Sequence, residues 1–129
     1  MLKARNLSPM AKWDIVAHEI DLSVASTQTK AFTFPYKVAI KSIKLVYSVT
    51  TSVDAITEDV EVGISTDYDH YFGAAPSVSQ AAGVVQNKTI DSADVLTAGT
   101  PLFIRKSAAG AGANTGEVTV VVEVEVVES

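Results

Sequence analysis

Cysteine is absent from the 129 residues. That excludes disulfides, thiolate metal sites and a cysteine nucleophile, and with them the usual framework of a small secreted scaffold. Long apolar runs are missing too: nowhere do 18 consecutive apolar residues occur, the length a membrane-spanning helix needs. The basic opening MLKARNLSPMAKW leads into no such run, so the chain reads as soluble, without a signal peptide and without a membrane partner. Catalytic inventory is thin. There are two histidines, His18 and His70, and no G-x-S-x-G around any serine. The glycine-rich run GAGANTGE lacks the lysine and hydroxyl residue of a phosphate loop and reads as a connector. No enzyme, no cofactor and no metal is expected.

Basic charge is scarce in most of the chain but not at its start. Lys3, Arg5 and Lys12 stand in the first 12 residues with no acid, while the rest carries seven basic and 15 acidic side chains. An acidic body repels phosphate backbones, so nucleic acid is not the expected ligand.

What remains is alternation of period two and almost no helical stripe. In WDIVAHEIDLSV the residues Val16, His18, Ile20, Leu22 and Val24 share one face. Phe32, Phe34 and Tyr36 share another, with Pro35 marking a strand end. Ile43, Leu45, Tyr47 and Val49 face inward against Ser42, Lys44 and Ser48, and Ile56, Val60, Val62 and Ile64 follow the same rule. STDYDHYFGAAPSVSQAAGVVQNK reads as a long excursion with a short strand near Tyr71 and Phe72. A short strand is expected at Thr89 and Ile90, a turn over Thr97 to Thr100, and a strand through Leu102 and Ile104. AAGAGANTG is a hairpin connection. The closing GEVTVVVEVEVVES puts Val118, Val120, Val122, Val124 and Val126 on one face. Its other face carries Val121 and Val127, too apolar for full exposure, so this strand is expected at the centre of a sheet. Seven or eight short strands with regular turn signals predict an all-β, single-domain antiparallel sandwich or small barrel over residues 14–129, preceded by an extended arm over 1–13.

Asp67, Asp69 and His70 form the densest cluster of metal-ligating types. The spacing is not that of a calcium loop, and the carboxylates read as capping local turns, with Tyr68, Tyr71 and Phe72 packing the loop or meeting a neighbouring subunit. Trp13 reads as a cap on the core or a partner contact.

PYKVAIKSIKLVYSVTTSVDA, then VEVGISTDYDHYF, then VLTAGTPLFIRKSAAGAGANTGEVTVVVEVEV resemble, in that order, segments of the head decoration (cement) proteins of tailed bacteriophages. The likeness spans about residues 34 to 127. It implies a jelly-roll-like sandwich, made in the host cytoplasm, that sits as a trimer, with a dimer as the alternative, on the outer capsid surface and braces joints between major capsid proteins. In that picture the arm is the attachment element. Leu2, Leu7 and Met10 supply apolar anchors, Lys3, Arg5 and Lys12 meet acidic groups, and Trp13 closes the arm. A tail-fibre or receptor-binding module using Tyr36, Tyr68, Tyr71 and Phe72 on a glycan, and an exported pilus-like or surface-layer subunit, are the competing binding readings.

Overall fold

The computed structural model describes residues 13–24, 26–52, 60–74, 80–106 and 115–128. Among them are nine strands and no helix: β1 (Trp13–Asp21), β2 (Gln28–Phe32), β3 (Lys37–Val46), β4 (Val60–Ile64), β5 (Asp67–Ala74), β6 (Val85–Lys88), β7 (Val95–Leu96), β8 (Leu102–Lys106) and β9 (Glu117–Glu128). They form two antiparallel sheets. One has the order β1-β9-β3-β6, with the two-residue β7 also on β3, and the other has the order β2-β8-β4-β5.

The pairs nest. β1 lies on β9, β2 on β8, β3 on β6 and β4 on β5, as when one long hairpin is rolled so that successive pairs fall in alternate sheets. This is a jelly roll, in which two sheets cover each other's apolar faces.

The core between the sheets is the one the alternation predicts. Ile20, Leu22, Ile43, Leu45, Tyr47, Val118, Val120, Val122 and Val124 from the first sheet meet Val60, Val62, Leu102 and Ile104 from the second, all buried. Phe34 belongs to this core, Phe32 and Tyr36 pack against it half-buried, and Pro35 stands between β2 and β3. Ile40 and Ile43 both point inward, although three apart, because a register shift between Ile40 and Ser42 absorbs one residue.

Four expectations need correction. The excursion after Thr66 opens directly as β5, eight residues long. The strand expected at Thr89 and Ile90 lies earlier, over Val85–Lys88, since Gly83 N–H donates to Tyr47 O and Tyr47 N–H to Val84 O, which fixes the incoming turn against β3. Val24 and Val49 lie beyond their strand ends and are exposed. Finally, β9 is central as expected, yet centrality does not cover its second face: no third layer lies over it among the described residues, so Val121 is half-buried and Val127 exposed. Ile56 and the connection AAGAGAN lie outside the described residues.

Candidate interaction surfaces

Three places gather polar or exposed side chains, and each is set by strand register.

The first is the edge of β5. His70 Nε2 lies 2.9 and 3.0 Å from the two carboxylate oxygens of Asp94, and Nδ1 lies 3.4 Å from Asp67 Oδ2. Ser92 Oγ donates to Asp94 at 2.6 Å, and Asp91 N–H donates to Tyr71 O at 2.8 Å. The segment between β6 and β7 is thereby tied to β5, so one edge of each sheet is closed against the other. The hydrogen bond to Asp94 raises the pKa of His70. Hydrogen bonds from Ser92 and then His70 hold Asp94 below its usual range. Asp67 is held down, first by its hydrogen bond with Asp69, while Asp69 is pushed up by that same bond and by the Asp67 charge. No group of three or more metal-ligating side chains converges among the described residues. The cluster acts as a latch.

The second place is the outer face of the β2-β8-β4-β5 sheet. Arg105 lies 4.2 Å above the Tyr68 ring and donates through Nε to Glu61 at 2.8 Å, while Tyr68 meets Phe103 edge-on at 5.4 Å. Arginine, tyrosine and carboxylate satisfy one another. Of the loop contacts expected from sequence, only Tyr68 remains accessible here. Tyr71 and Phe72 are 1% and 6% exposed and belong to the core; burial pushes the Tyr71 hydroxyl up to about 12. The Tyr36 hydroxyl is 3.3 Å from Asp14 Oδ2, a long hydrogen bond. An aromatic groove for a sugar therefore does not form from these four residues.

The third place was not legible in the sequence. Trp13 (48% exposed), Ile15 (60%), Val85 (52%), Val95 (41%) and Val127 (50%) are five of the seven exposed large hydrophobics among the described residues. All five lie on the outer face of the β1-β9-β3-β6 sheet. Strand pairing gives the rows: Trp13, Glu125, Ala39 and Val95 stand side by side; then Ile15, Glu123 and Ser42; then Ala17, Val121, Lys44 and Asn87; then Glu19, Thr119, Val46 and Val85. Two charged stripes run down the middle, Glu123 and Glu125 on β9 beside Lys41 and Lys44 on β3. The intramolecular links across them are slack: Lys41 Nζ to Glu125 is 3.9 Å, and Ser42 Oγ to Glu123 is 3.3 Å. The sequence reading gave no strand at Val85 or Val95, took Trp13 as a cap on the core or a partner contact and expected Val127 to be covered. That strands whose partners stand from about 40 to about 110 residues apart lie side by side was not legible. Trp13, grouped with the leader and with a core-capping role on the sequence reading, opens β1 and points outward instead. Leu2, Lys3, Arg5, Leu7, Met10 and Lys12 lie outside the described residues.

His18 is a separate feature. It faces inward on β1 opposite Val120, and its Nε2 is buried without a hydrogen-bond partner among the described residues. Burial, and then the Lys30 charge, lower its pKa from the usual 6.5. The unfolded chain therefore takes up this proton first, and stability falls as pH drops below about 6.5 until the folded group titrates. His70 acts in the opposite sense. Its stabilisation is full below about 6.5 and is lost as pH rises through its raised folded value. Replacing His18 by Leu is expected to raise stability at neutral pH by about 1 kcal/mol, because a polar atom without a partner is removed, and to abolish the acid-side loss just below pH 6.5. Replacing His70 by Gln should lower stability at pH 5.5 and leave it nearly unchanged at pH 9. Melting temperatures of both variants across pH 5 to 9 check the two signs.

No family model and no curated protein matches this sequence. Among solved structures, the chain is similar to one described as a cyanophage Pam1 capsid asymmetric unit, at 19% identity and a TM-score of 0.46, over 89% of this chain and 82% of that one.

Proposed function

We propose that this chain is a structural protein of a tailed-bacteriophage virion that decorates the outer surface of the head and braces the joints between major capsid proteins. One observation carries the assembly role: five of the seven exposed large hydrophobics lie on one sheet face that nothing covers among the described residues. The segment resemblance over residues 34 to 127 supports the phage head as the setting, and the jelly roll agrees with it. On this reading the molecule makes and breaks no bonds and needs no cofactor. Its rigid two-sheet body presents surfaces to several neighbours at once, and contacts that are individually weak add through high effective concentration.

The attachment element is the cationic leader. Leu2, Leu7 and Met10 supply apolar contact, and Lys3, Arg5 and Lys12 meet carboxylates of the capsid protein; such a segment covers much surface for its length when it orders on binding. Removing residues 1–12 is expected to leave a folded domain, with the melting temperature changed by no more than a few degrees, that no longer sediments with heads. Retained attachment at the intact chain's affinity would remove the leader from the interface, and failure of the intact chain to bind heads would remove the capsid role altogether.

A further inference from the structure

We infer that the outer face of the β1-β9-β3-β6 sheet is the contact between two copies of this chain, packed face to face about a two-fold axis that runs parallel to the strands, between β9 and β3. The inference deepens the proposed structural role by naming a partner for the uncovered face, and it rests on that reading only for its biological setting.

Charge placement selects a second copy as the occupant. The acids of the central stripes lie on β9 (Glu123, Glu125) and the bases on β3 (Lys41, Lys44), and these strands are immediate neighbours. A two-fold axis between them exchanges β9 and β3, so Lys41 of one copy comes between the rows of Glu123 and Glu125 of the other, and Lys44, opposite Val121, comes one row from Glu123. No such relief comes from a uniformly charged partner, which would meet one stripe of its own sign. The same operation matches the large apolar residues of the first row. Within a row the axis exchanges left and right, which sets Trp13 of one copy against Val95 of the second and Val46 against Thr119, while Val85 meets Glu19 at the far corner. Ile15, next to Trp13 on the outer side of β1, and Val127, past Glu125 on β9, lie within the same footprint. Contact of this isologous kind is self-complementary and closes at two copies.

Size is adequate. Four strands at about 4.8 Å spacing and about nine residues at about 3.3 Å rise give a footprint of roughly 550 Å² per copy. Two such faces bring the total near the lower bound of about 1,200 Å² for specific, stable interfaces. Flanking connections outside the sheet plane can add to it. The residues fit the composition of such contacts, with a tryptophan and aliphatic side chains beside charges that are paired across the interface.

The test is the solution mass of the full chain, by light scattering and sedimentation over a range of concentrations. The wild type is expected at twice its 13.6 kDa. Ile15→Glu should weaken association at least tenfold, whereas Val49→Glu, exposed but off this face, should leave it unchanged. Reversing one stripe (Glu123→Lys with Glu125→Lys, or Lys41→Glu with Lys44→Glu) should also weaken it at least tenfold, and reversing both stripes in one chain should restore it. That restoration is the readout a merely misfolded variant cannot give, and circular dichroism checks the fold of each. A wild-type monomer at 100 μM overturns the inference. So does a trimer insensitive to Ile15→Glu, which would place the oligomer contact elsewhere. A monomer whose Lys3 or Lys12 cross-links to Glu123 or Glu125 of the same chain also overturns it and assigns the face to the leader. Head binding is measured separately, so a dimer that ignores heads refutes the capsid reading and leaves this contact standing.

Discussion

Gly63→Ala is expected to destabilise the fold by about 3 kcal/mol, the upper end of the usual cost of overpacking, and to lower the melting temperature by about 10 °C for a domain of this size. Gly63 is buried in β4, where pairing with β5 shifts register between Val62 and Ile64. A Cβ at this position would collide with the backbone of Asp67 and Tyr68. Backbone cannot step aside as a flexible side chain does, so relief requires the start of β5 to move away from β4. That displacement would loosen the hold of Tyr68 on Arg105 and of Asp67 on His70. Gly83 supplies the control. Its φ of +91° is left-handed, yet a Cβ there meets nothing within 4 Å, so Gly83→Ala costs only the backbone preference, about 1 to 2 kcal/mol. Chemical denaturation of both variants checks the ranking, and equal costs would refute the close approach at Gly63.

Tyr47→Ala is expected to cost about 3 to 5 kcal/mol, as large aromatic truncations in cores do. Tyr47 is wholly buried at the end of β3, and its hydroxyl donates to Gln86 Oε1 at 3.0 Å. Its backbone holds the turn that starts β6 through the bonds with Gly83 and Val84. Tyr47→Phe keeps the ring and removes only the hydroxyl, leaving Gln86 short of one donor, for about 1 kcal/mol. The gap between the two variants, read from denaturant midpoints at unchanged slope, separates the packing contribution from the hydrogen bond.

How legible this molecule was depended on which interaction sets each element. Where one side chain in two must be buried, the pattern is written locally. β9 shows it plainly, with Val118, Val120, Val122 and Val124 all inward, and so does the second half of β3. Where a strand is set by a close backbone approach, the pattern is obscured. β5 carries Asp67, Tyr68, Asp69 and His70 before its buried Tyr71 and Phe72, which breaks simple alternation because Gly63 admits the chain at a bulge. Tyr71 and Phe72, read from sequence as a short strand whose rings pack the loop or meet a neighbour, are core in the fold. β6 is similar: Val85, Gln86, Asn87 and Lys88 are unremarkable as a strand, and their position follows from the hydrogen bonds at Tyr47.

The leader's charge, the absence of thiol chemistry, the all-β class and the inward valines, isoleucines and leucines are properties of composition and of period two, both local, and the sequence alone determined them. Strand order, the nesting that makes a jelly roll, the latch between His70 and Asp94, and the gathering of Trp13, Ile15, Val85, Val95 and Val127 on one face were decided by tertiary structure. Each depends on which distant strands pair, and pairing is chosen by the burial of the whole set at once, which no single stretch of residues encodes.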